Sequence, residues 1–269
     1  MAWERATSTQ LRTTAVFYLG EWAAIANDAK SSPGAGDEAR ARGDVYGMVA
    51  AILPGTVQLL ASDQPALAQQ FIADTIAALP STRFLVPNVY AFSLKAYIAL
   101  YAGEAERAWS LVESEWPALA ASYFLRVEYL AIIVLDVRAR AALAAATQDL
   151  QRHRLTEALT CARKLAQKRS AWAHSISLLI RAGVASVTHQ DLEALDLLER
   201  AEHEFRAVEM AHFVAACQYR RGTLLGTDDG RTLVSAAEAW AASQGVVNPR
   251  RIFEMLAPGC WERQQMPLG

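Results

Sequence analysis

Several protein classes are excluded by what this sequence lacks. Only three cysteines occur among 269 residues, and they lie far apart and are odd in number, so we predict no disulfide framework and a reducing cytoplasmic location. Runs of alternating β-branched residues are nearly absent, which disfavours β-sheet. The formal net charge of −2 provides no general attraction to nucleic acid or to an anionic membrane. We therefore expect a soluble helical protein.

Targeting and membrane segments are also missing from the pattern. The segment that begins at Met1 lacks a basic stretch followed by an apolar run, so no signal peptide is predicted. The most apolar segment runs from Tyr123 to Leu135, but it contains Arg126 and Glu128 and is shorter than the roughly 20 residues of a membrane span. We interpret this segment as a buried helix.

Sequence motifs for catalysis and metal binding are not found. The sequence has no Gly-x-Ser-x-Gly, no Gly-x-x-x-x-Gly-Lys-Ser/Thr and no kinase catalytic loop. A zinc helix that began at His203 would need a second histidine where Ala207 stands. Cys161 lies among apolar residues of a predicted helix, which favours a buried and unreactive thiol. We predict no catalytic, cofactor-binding or metal-binding residues, and a protein that is not an enzyme.

A degenerate repeat runs along most of the chain. Ala68, Ala108, Ala158 and Ala194 anchor its four copies at an average spacing of about 40 residues, within the range of stacked helical arrays. Small residues at such positions let antiparallel helices approach closely. The repeat predicts an all-α, right-handed α-solenoid of roughly five to six tetratricopeptide-like antiparallel helix hairpins, forming one domain over residues 1–269. An irregular helical bundle with alanine-rich interfaces is the alternative.

The sequence also predicts particular helix limits. We expect one continuous helix over Thr9–Lys30 and another over Ala120–Leu150. Pro54-Gly55 predicts a kink or a break inside a helix, because proline removes one backbone hydrogen bond and clashes with the preceding turn. Asn248-Pro249 suits the cap and first residue of a short final helix over about 249–256, which would cap the array.

Three parts of the chain resemble a known family. They are LYAGEAERAW (100–109) with WPAL (116–119), LERA (198–201), and GVVNPRR (245–251) with MLAPG (255–259). These segments are similar to the C-terminal tetratricopeptide-like region of large bacterial serine/threonine protein kinases of the myxobacterial and planctomycete type. The resemblance covers about Trp3 to Gly259, and its most specific part is the last pair of segments. Because the kinase motifs themselves are missing, we expect a detached tail, a part of a longer gene product or a stand-alone adaptor.

The resemblance implies a function without bond chemistry. We expect a protein–protein interaction or scaffold module, the sensory or substrate-recruiting tail of a bacterial serine/threonine kinase signalling system. The implied partner is a protein or peptide, with a kinase domain in cis or in trans as one candidate; we expect neither nucleic acid nor a membrane as partner. The alternative is a domain that senses a small molecule in its concave groove.

Two sets of residues are candidates for partner binding. The first helices of the clearest hairpins are expected to line a concave groove, where tyrosine offers contact area and a polar tip, unless these residues simply pack against the next repeat. A group of basic residues at one edge suits an acidic partner, or forms an ordinary solvated face. The groove set is Tyr90, Ser93, Tyr97, Tyr101, Ile176, Leu179 and Ser186, and the basic-edge set is Arg138, Arg152, Arg154, Arg163 and Lys164.

Overall fold

The computed structural model describes residues 2–31, 38–39, 41–77, 86–148 and 151–262. Within them it contains thirteen α-helices, one short 3-10 helix and no strand. The helices are α1 (Ala2–Leu19), α2 (Trp22–Ser31), α3 (Val45–Ala61), α4 (Pro65–Ala77), α5 (Val86–Tyr101), α6 (Ala105–Ala121), η1 (Tyr123–Arg126), α7 (Glu128–Gln148), α8 (Arg152–Ala166), α9 (Ala171–Val187), α10 (Asp191–Ala207), α11 (Ala211–Leu225), α12 (Asp228–Ser243) and α13 (Pro249–Leu256).

Consecutive helices pack against each other as six hairpins followed by α13. Hairpins also pack on their neighbours, since α3 contacts α5, α5 contacts α7 and α7 contacts α9. This arrangement is an all-α solenoid, as the sequence predicts. The bundle alternative is therefore not needed to explain the order of the helices.

Three copies of the repeat share one turn geometry, which also occurs at other helix ends of the array. Asp63, Gly103 and His189 all have left-handed backbone angles, with φ of 55°, 77° and 57°. In each turn the next residue donates its N–H to the carbonyl five residues earlier, at 2.8–2.9 Å. This bond satisfies one of the carbonyls that a helix end leaves free and reverses the chain into the second helix of the hairpin.

The anchoring alanines lie in the seams between helices. Ala68, Ala108, Ala158 and Ala194 are all 0% exposed. A side chain that is small and fully buried at each hairpin lets the two helices approach closely, which is the packing that the repeat predicts. The repeated alanines therefore mark positions where helices are in close contact, and not positions on the surface.

The first and last hairpins come together, so the array curls back on itself. Helix α1 packs on α11 as well as on α3, and α13 packs on α5. The Ala23 N–H donates to Oε1 of Gln244 at 3.0 Å. The Val247 N–H donates to the carbonyl of Ala61 at 2.8 Å. These contacts join residues about 190 to 220 positions apart, and the space an open solenoid would leave on its inner side is filled.

Asp63 is the centre of this closure. Its carboxylate accepts hydrogen bonds from the Tyr101 hydroxyl at 2.8 Å, from the Asn248 amide at 3.3 Å and from Arg251 at 3.1 Å. The Tyr101 hydrogen bond, with help from Asn248 and Arg251, holds the pKa of Asp63 below its ordinary value. The turn between α3 and α4 is thereby fixed to α5 and α13 at once.

Two predicted helix limits were wrong, and of the kink or break predicted at Pro54-Gly55 the break does not occur. The helix predicted over Thr9–Lys30 is divided at Gly20, whose φ of 81° ends α1. The long helix predicted from Ala120 is interrupted at Ser122, which has extended backbone angles and caps η1 with its hydroxyl. Conversely, α3 continues without a break through Pro54-Gly55. The absence of a side chain at Gly55 admits the ring of Phe71 from α4, since a Cβ there would lie only 2.6 Å from that ring.

Candidate functional site

All seven residues of the groove set are buried. Tyr90, the least buried, is 8% exposed, and Ser93, Tyr97, Tyr101, Ile176, Leu179 and Ser186 are between 0% and 4% exposed. The first helices of the hairpins pack on one another, and the ends of the array join this layer, since α1 packs on α11 and α13 packs on α5. The prediction that these residues line an open concave wall was therefore wrong, because the packed helices leave their side chains buried.

A buried ion pair lies at the centre of this closed interior. Arg140 on α7 donates to Asp136 in a bidentate pair, with Nε at 2.8 Å from one carboxylate oxygen. The other guanidinium contacts are the Tyr97 hydroxyl at 2.8 Å and the Met255 carbonyl at 3.3 Å. The guanidinium carbon of Arg140 also lies 5.7 Å from the ring centre of Phe213. Residues of α5, α7, α11 and α13 thus converge on one guanidinium group.

Arg140 and Asp136 favour each other's charged form against the effect of burial. Burial works against the charge of Arg140, but the carboxylate of Asp136 raises the pKa of Arg140 above its ordinary value. Burial likewise raises the pKa of Asp136, and Arg140 opposes that rise. Each side chain is 2% exposed. An ion pair so deeply buried is maintained only when hydrogen bonds occupy its remaining atoms, as they do here.

Unlike the ion pair, the buried imidazole of His212 has no hydrogen-bond partner among the described residues. His212 on α11 is 0% exposed, and neither ring nitrogen forms a hydrogen bond within the described residues. Its ring lies among Phe17, Trp22 and Phe213, at centroid distances of 4.2–5.8 Å. Burial, assisted by the nearby charge of Arg140, lowers the pKa of His212 to about 3. The imidazole is therefore neutral near pH 7 and contributes to the apolar contact between α1 and α11.

The interior has little room for a ligand. A cavity bordered by Tyr18, Tyr90, Tyr97 and Tyr129 has a volume of only about 20 Å³. That volume suffices for about one water molecule. A small molecule bound between Tyr90 and Tyr97 would require the surrounding helices to separate.

Two members of the basic-edge set are structural rather than solvated. Arg154 is 9% exposed at its side chain and forms a bidentate pair with Glu106, with a further bond to the Ala145 carbonyl at 3.2 Å. Arg138 is 12% exposed and donates to Glu157 at 2.6 Å. For these two, the prediction of a basic edge open to a partner was wrong, because their charges connect α6, α7 and α8. Arg152, Arg163 and Lys164 are exposed on α8.

Arg138 also organises a surface pocket. Its guanidinium carbon lies 4.1 Å from the ring centre of Trp116 and 5.4 Å from that of Trp109. Burial works against the charge of Glu157, but Arg138 outweighs it and holds the pKa of Glu157 below its ordinary value. Glu157 therefore stays ionised near neutral pH beside Arg138.

The pocket beside Trp116 lies between α6, η1, α7 and α8, and we call it the α6–α8 pocket. Its volume is about 330 Å³, near the lower limit for pockets that bind ligands. Its lining is largely apolar, with two lysines. The lining residues are Trp116, Leu125, Ala131, Leu135, Lys164, Gln167 and Lys168.

The charges around the α6–α8 pocket are unequal. Lys164 and Lys168 have no carboxylate within salt-bridge distance in the part of the chain that the structure describes. Of the nearby carboxylates, Glu115 pairs with Lys95 at 2.9 Å and Glu157 with Arg138 at 2.6 Å, while Glu128 accepts from the Ser170 hydroxyl at 2.8 Å and acts on Lys168 only from a longer distance. The pocket therefore has an excess of positive charge at its edge.

Exposed apolar side chains adjoin this pocket in sequence. Tyr123 on η1 is 75% exposed, and Val127, just after η1, is 50% exposed. Leu125, between them, lines the pocket itself. The segment Tyr123–Val127 was predicted to be part of a buried helix, and the exposure of Tyr123 and Val127 contradicts this prediction.

The described residues provide no reactive thiol at Cys161, no metal-binding cluster and no membrane-spanning helix. Burial and the charge of Glu157 raise the pKa of the Cys161 thiol to about 12, so its reactive thiolate is scarce. In the described ranges no group of three or more His, Cys, Asp or Glu side chains is arranged to hold a metal ion. Among the same helices, none combines the length and the apolar character needed to cross a bilayer.

Comparison with known proteins gives no relative. The sequence matches no protein-family model, no curated protein and no solved structure.

Proposed function

We propose that this protein is a non-catalytic interaction module that binds an acidic, amphipathic segment of a protein partner at the α6–α8 pocket. The observation that carries this proposal is an apolar pocket whose two lysines lack a carboxylate partner among the described residues. The closed interior also supports a binding site on the outer surface, because the residues of the groove set are buried and have no access to a partner. The binding surface must then lie elsewhere on the array.

The chemistry of the pocket defines the occupant. Trp116, Leu125 and Leu135 suit one or two large apolar side chains, and a pocket of about 330 Å³ has room for no more. Lys164 lies in the last turn of α8 and Lys168 lies just after that helix, and both line the pocket, so acidic residues on one flank of a partner helix would reach both. This combination describes a helix with an apolar face and an acidic flank, bound by its face.

A direct test uses a labelled peptide. The peptide is a helix of about four turns with Leu or Phe on one face and Glu on the flank, and a control peptide carries Lys in place of Glu. Fluorescence anisotropy measures the dissociation constant at two salt concentrations. We expect saturable binding of the acidic peptide, weakened by salt, and no binding of the basic peptide.

Charge reversals identify the site. The double variant Lys164→Glu/Lys168→Glu is expected to raise the dissociation constant about tenfold or more, since both favourable charges become repulsive. Arg163→Glu is the matched control, because Arg163 lies on the same helix and is exposed but does not line the pocket; we expect a change below about threefold. Equal effects of the two changes, or an unaffected double variant, would show that these lysines only complement the C-terminal end of α8.

The kinase context of the proposal rests on the resemblance alone. We propose that the module recruits substrates or senses signals for a bacterial serine/threonine kinase, linked in cis or acting in trans. The coding sequence next to this one in the native genome provides a test. A kinase domain encoded in the same reading frame or operon supports the context, and its absence from related loci argues against it.

A further inference from the structure

A second pocket, unrelated to the α6–α8 pocket, lies at the edge of the array where α5, α7, α9, α11 and α13 approach one another. Its volume is about 580 Å³. We call it the Arg220 pocket, because Arg220 is its most buried charged group. The lining includes Thr147, His189, Tyr219, Thr223 and Trp261.

Arg220 is buried without a counter-ion. Its side chain is 6% exposed, and no carboxylate in the described chain lies within salt-bridge distance of it. Its one hydrogen bond runs from Nε to the Ala257 carbonyl at 2.9 Å. Two ring centres, those of Tyr219 and Trp261, lie 5.6 and 5.8 Å from the guanidinium carbon. Glu254, which acts on it from a longer distance, is itself paired with Arg250 at 2.8 Å.

A buried charge of this kind is costly. An uncompensated guanidinium group loses hydration that a single carbonyl and two aromatic rings replace only in part. Burial lowers the pKa of Arg220 to about 10, which still leaves the group charged near pH 7. Among the described residues the terminal nitrogens have no hydrogen-bond partner, and Arg220 belongs to the lining of a pocket large enough for a ligand.

The chain segment after α13 builds one wall of this pocket. Trp261 Nε1 donates to the same Ala257 carbonyl as Arg220, at 3.0 Å. The Cys260 N–H donates to the Ser186 hydroxyl at 3.1 Å. A Cβ at Gly259 would lie 2.5 Å from that hydroxyl, so the close contact of this segment with α9 requires glycine. Trp261 is consequently fixed beside Arg220 rather than free to turn away.

We propose that the Arg220 pocket binds a small organic carboxylate, with the carboxylate on the Arg220 guanidinium and the apolar part against Tyr219 and Trp261. A planar carboxylate matches the two terminal nitrogens of an arginine as a bidentate acceptor. The hydroxyls of Thr147 and Thr223 donate to the carbonyls of Ala144 and Tyr219, at 2.6 and 2.8 Å, so the carboxylate depends on the guanidinium group for its hydrogen bonds. Nothing in this site overlaps the α6–α8 pocket, so the two proposals can fail independently.

The surroundings favour a monoanion over phosphate. Glu254 is paired with Arg250, so the remaining carboxylate of the lining, that of Glu262, opposes a second negative charge. Leu100 and Thr147 belong to the last turns of α5 and α7, which are the negative ends of these helix dipoles. Two aromatic rings provide a better surface for a carbon skeleton than for an inorganic anion.

Calorimetric titration of the full chain tests the proposal with defined probes: acetate, benzoate and indole-3-acetate, with benzamide as the uncharged counterpart of benzoate and inorganic phosphate as the anion control. We expect an aromatic carboxylate to bind more tightly than acetate, and benzamide and phosphate not to bind. Failure of all three carboxylates, or tighter binding of phosphate, would overturn the proposal.

Substitution separates a specific site from general attraction. Arg220→Met keeps the length and apolar contacts of the side chain and is expected to weaken benzoate binding about tenfold or more. Arg200→Met removes the same charge from an exposed, already paired arginine on α10 outside the pocket, and we expect a change below about threefold. Equal losses in both variants would contradict a site centred on Arg220.

A measurement on the unmodified protein guards against misfolded variants. Hydrogen exchange with and without benzoate is expected to show added protection in the peptides that span 211–225 and 257–262. Binding that leaves both of these segments unchanged would place the carboxylate elsewhere and overturn the assignment.

Discussion

The closed interior around Arg140 and the edge pocket around Arg220 treat the same side chain in opposite ways. Both arginines are almost fully buried, at 2% and 6% exposed. Arg140 has a carboxylate, a hydroxyl and a carbonyl as partners, whereas Arg220 has one carbonyl. The first arrangement is complete and holds helices together. The second has unused donors that face a cavity of about 580 Å³. Burial alone therefore does not distinguish a structural charge from a binding one; the partners do.

The largest effect is expected from disrupting the complete arrangement. Asp136→Ala leaves Arg140 buried with no counter-ion and should cost about 3–5 kcal/mol of unfolding free energy. The double variant Asp136→Leu/Arg140→Met removes both charges and should recover most of that loss. Urea denaturation measures both. A double variant as unstable as the single one would mean that the loss of stability does not come from leaving Arg140 without a counter-ion.

The next effect is a pH dependence that originates in the interior. His212 has an ordinary pKa of 6.5 and a folded-state pKa of about 3, so below pH 6.5 the unfolded chain takes up a proton that the folded one does not. Its contribution to stability is complete above pH 6.5 and decreases by about 1.4 kcal/mol per pH unit below it, or about 2 kcal/mol by pH 5. His212→Phe should remove this component in urea denaturation at pH 7, 6 and 5. Identical pH profiles for the variant and the wild-type chain would exclude it.

The closure at Asp63 is expected to matter less, because its carboxylate is partly solvated. Asp63→Ala removes acceptors for Tyr101, Asn248 and Arg251, and it places alanine at a left-handed φ of 55°. We expect a loss of about 1–2 kcal/mol. Asp63→Asn tolerates that backbone conformation and should lose about half as much. Thermal unfolding with matched heating rates compares the two, and equal losses would show that the carboxylate charge is decisive.

The smallest effect is expected at Arg220, and it can be compared directly with the same substitution at Arg140. Without ligand, Arg220→Met should change the unfolding free energy by less than about 1 kcal/mol, because removal of an uncompensated charge offsets the lost hydrogen bond to Ala257. Arg140→Met, which leaves Asp136 unpaired, should cost about 3–5 kcal/mol. Similar losses at the two positions would mean that Arg220 has a structural role like that of Arg140.

The sequence predicts local features of this protein better than the long-range ones. The alanine anchors and the turns at Asp63, Gly103 and His189 depend on contacts within one hairpin, so their pattern is visible in the sequence. The closure of the array depends on pairs such as Ala61 with Val247, which no repeat encodes. The groove set was therefore assigned to the correct layer but with the wrong exposure.

The charged residues show the same limit. Arg138 and Arg154 belong to a basic stretch of sequence, but their acceptors Glu157 and Glu106 are on other helices, so only the fold shows that they are not available. A signal for the interior pair was present, since Asp136 and Arg140 are four residues apart just after the most apolar segment, Tyr123 to Leu135. No comparable signal marks Arg220, whose pocket is assembled from five helices.

The claim that partners bind outside the closed interior is tested most directly by hydrogen exchange on the full chain, with and without the acidic peptide. We predict added protection in peptides that span 116–135 and 164–168, and unchanged exchange in the part of α5 that contains Tyr97 and the part of α7 that contains Arg140. Faster exchange at Tyr97 and Arg140 when the peptide binds, with no protection at Lys164 and Lys168, would mean that the interior opens to receive the partner and would contradict the account.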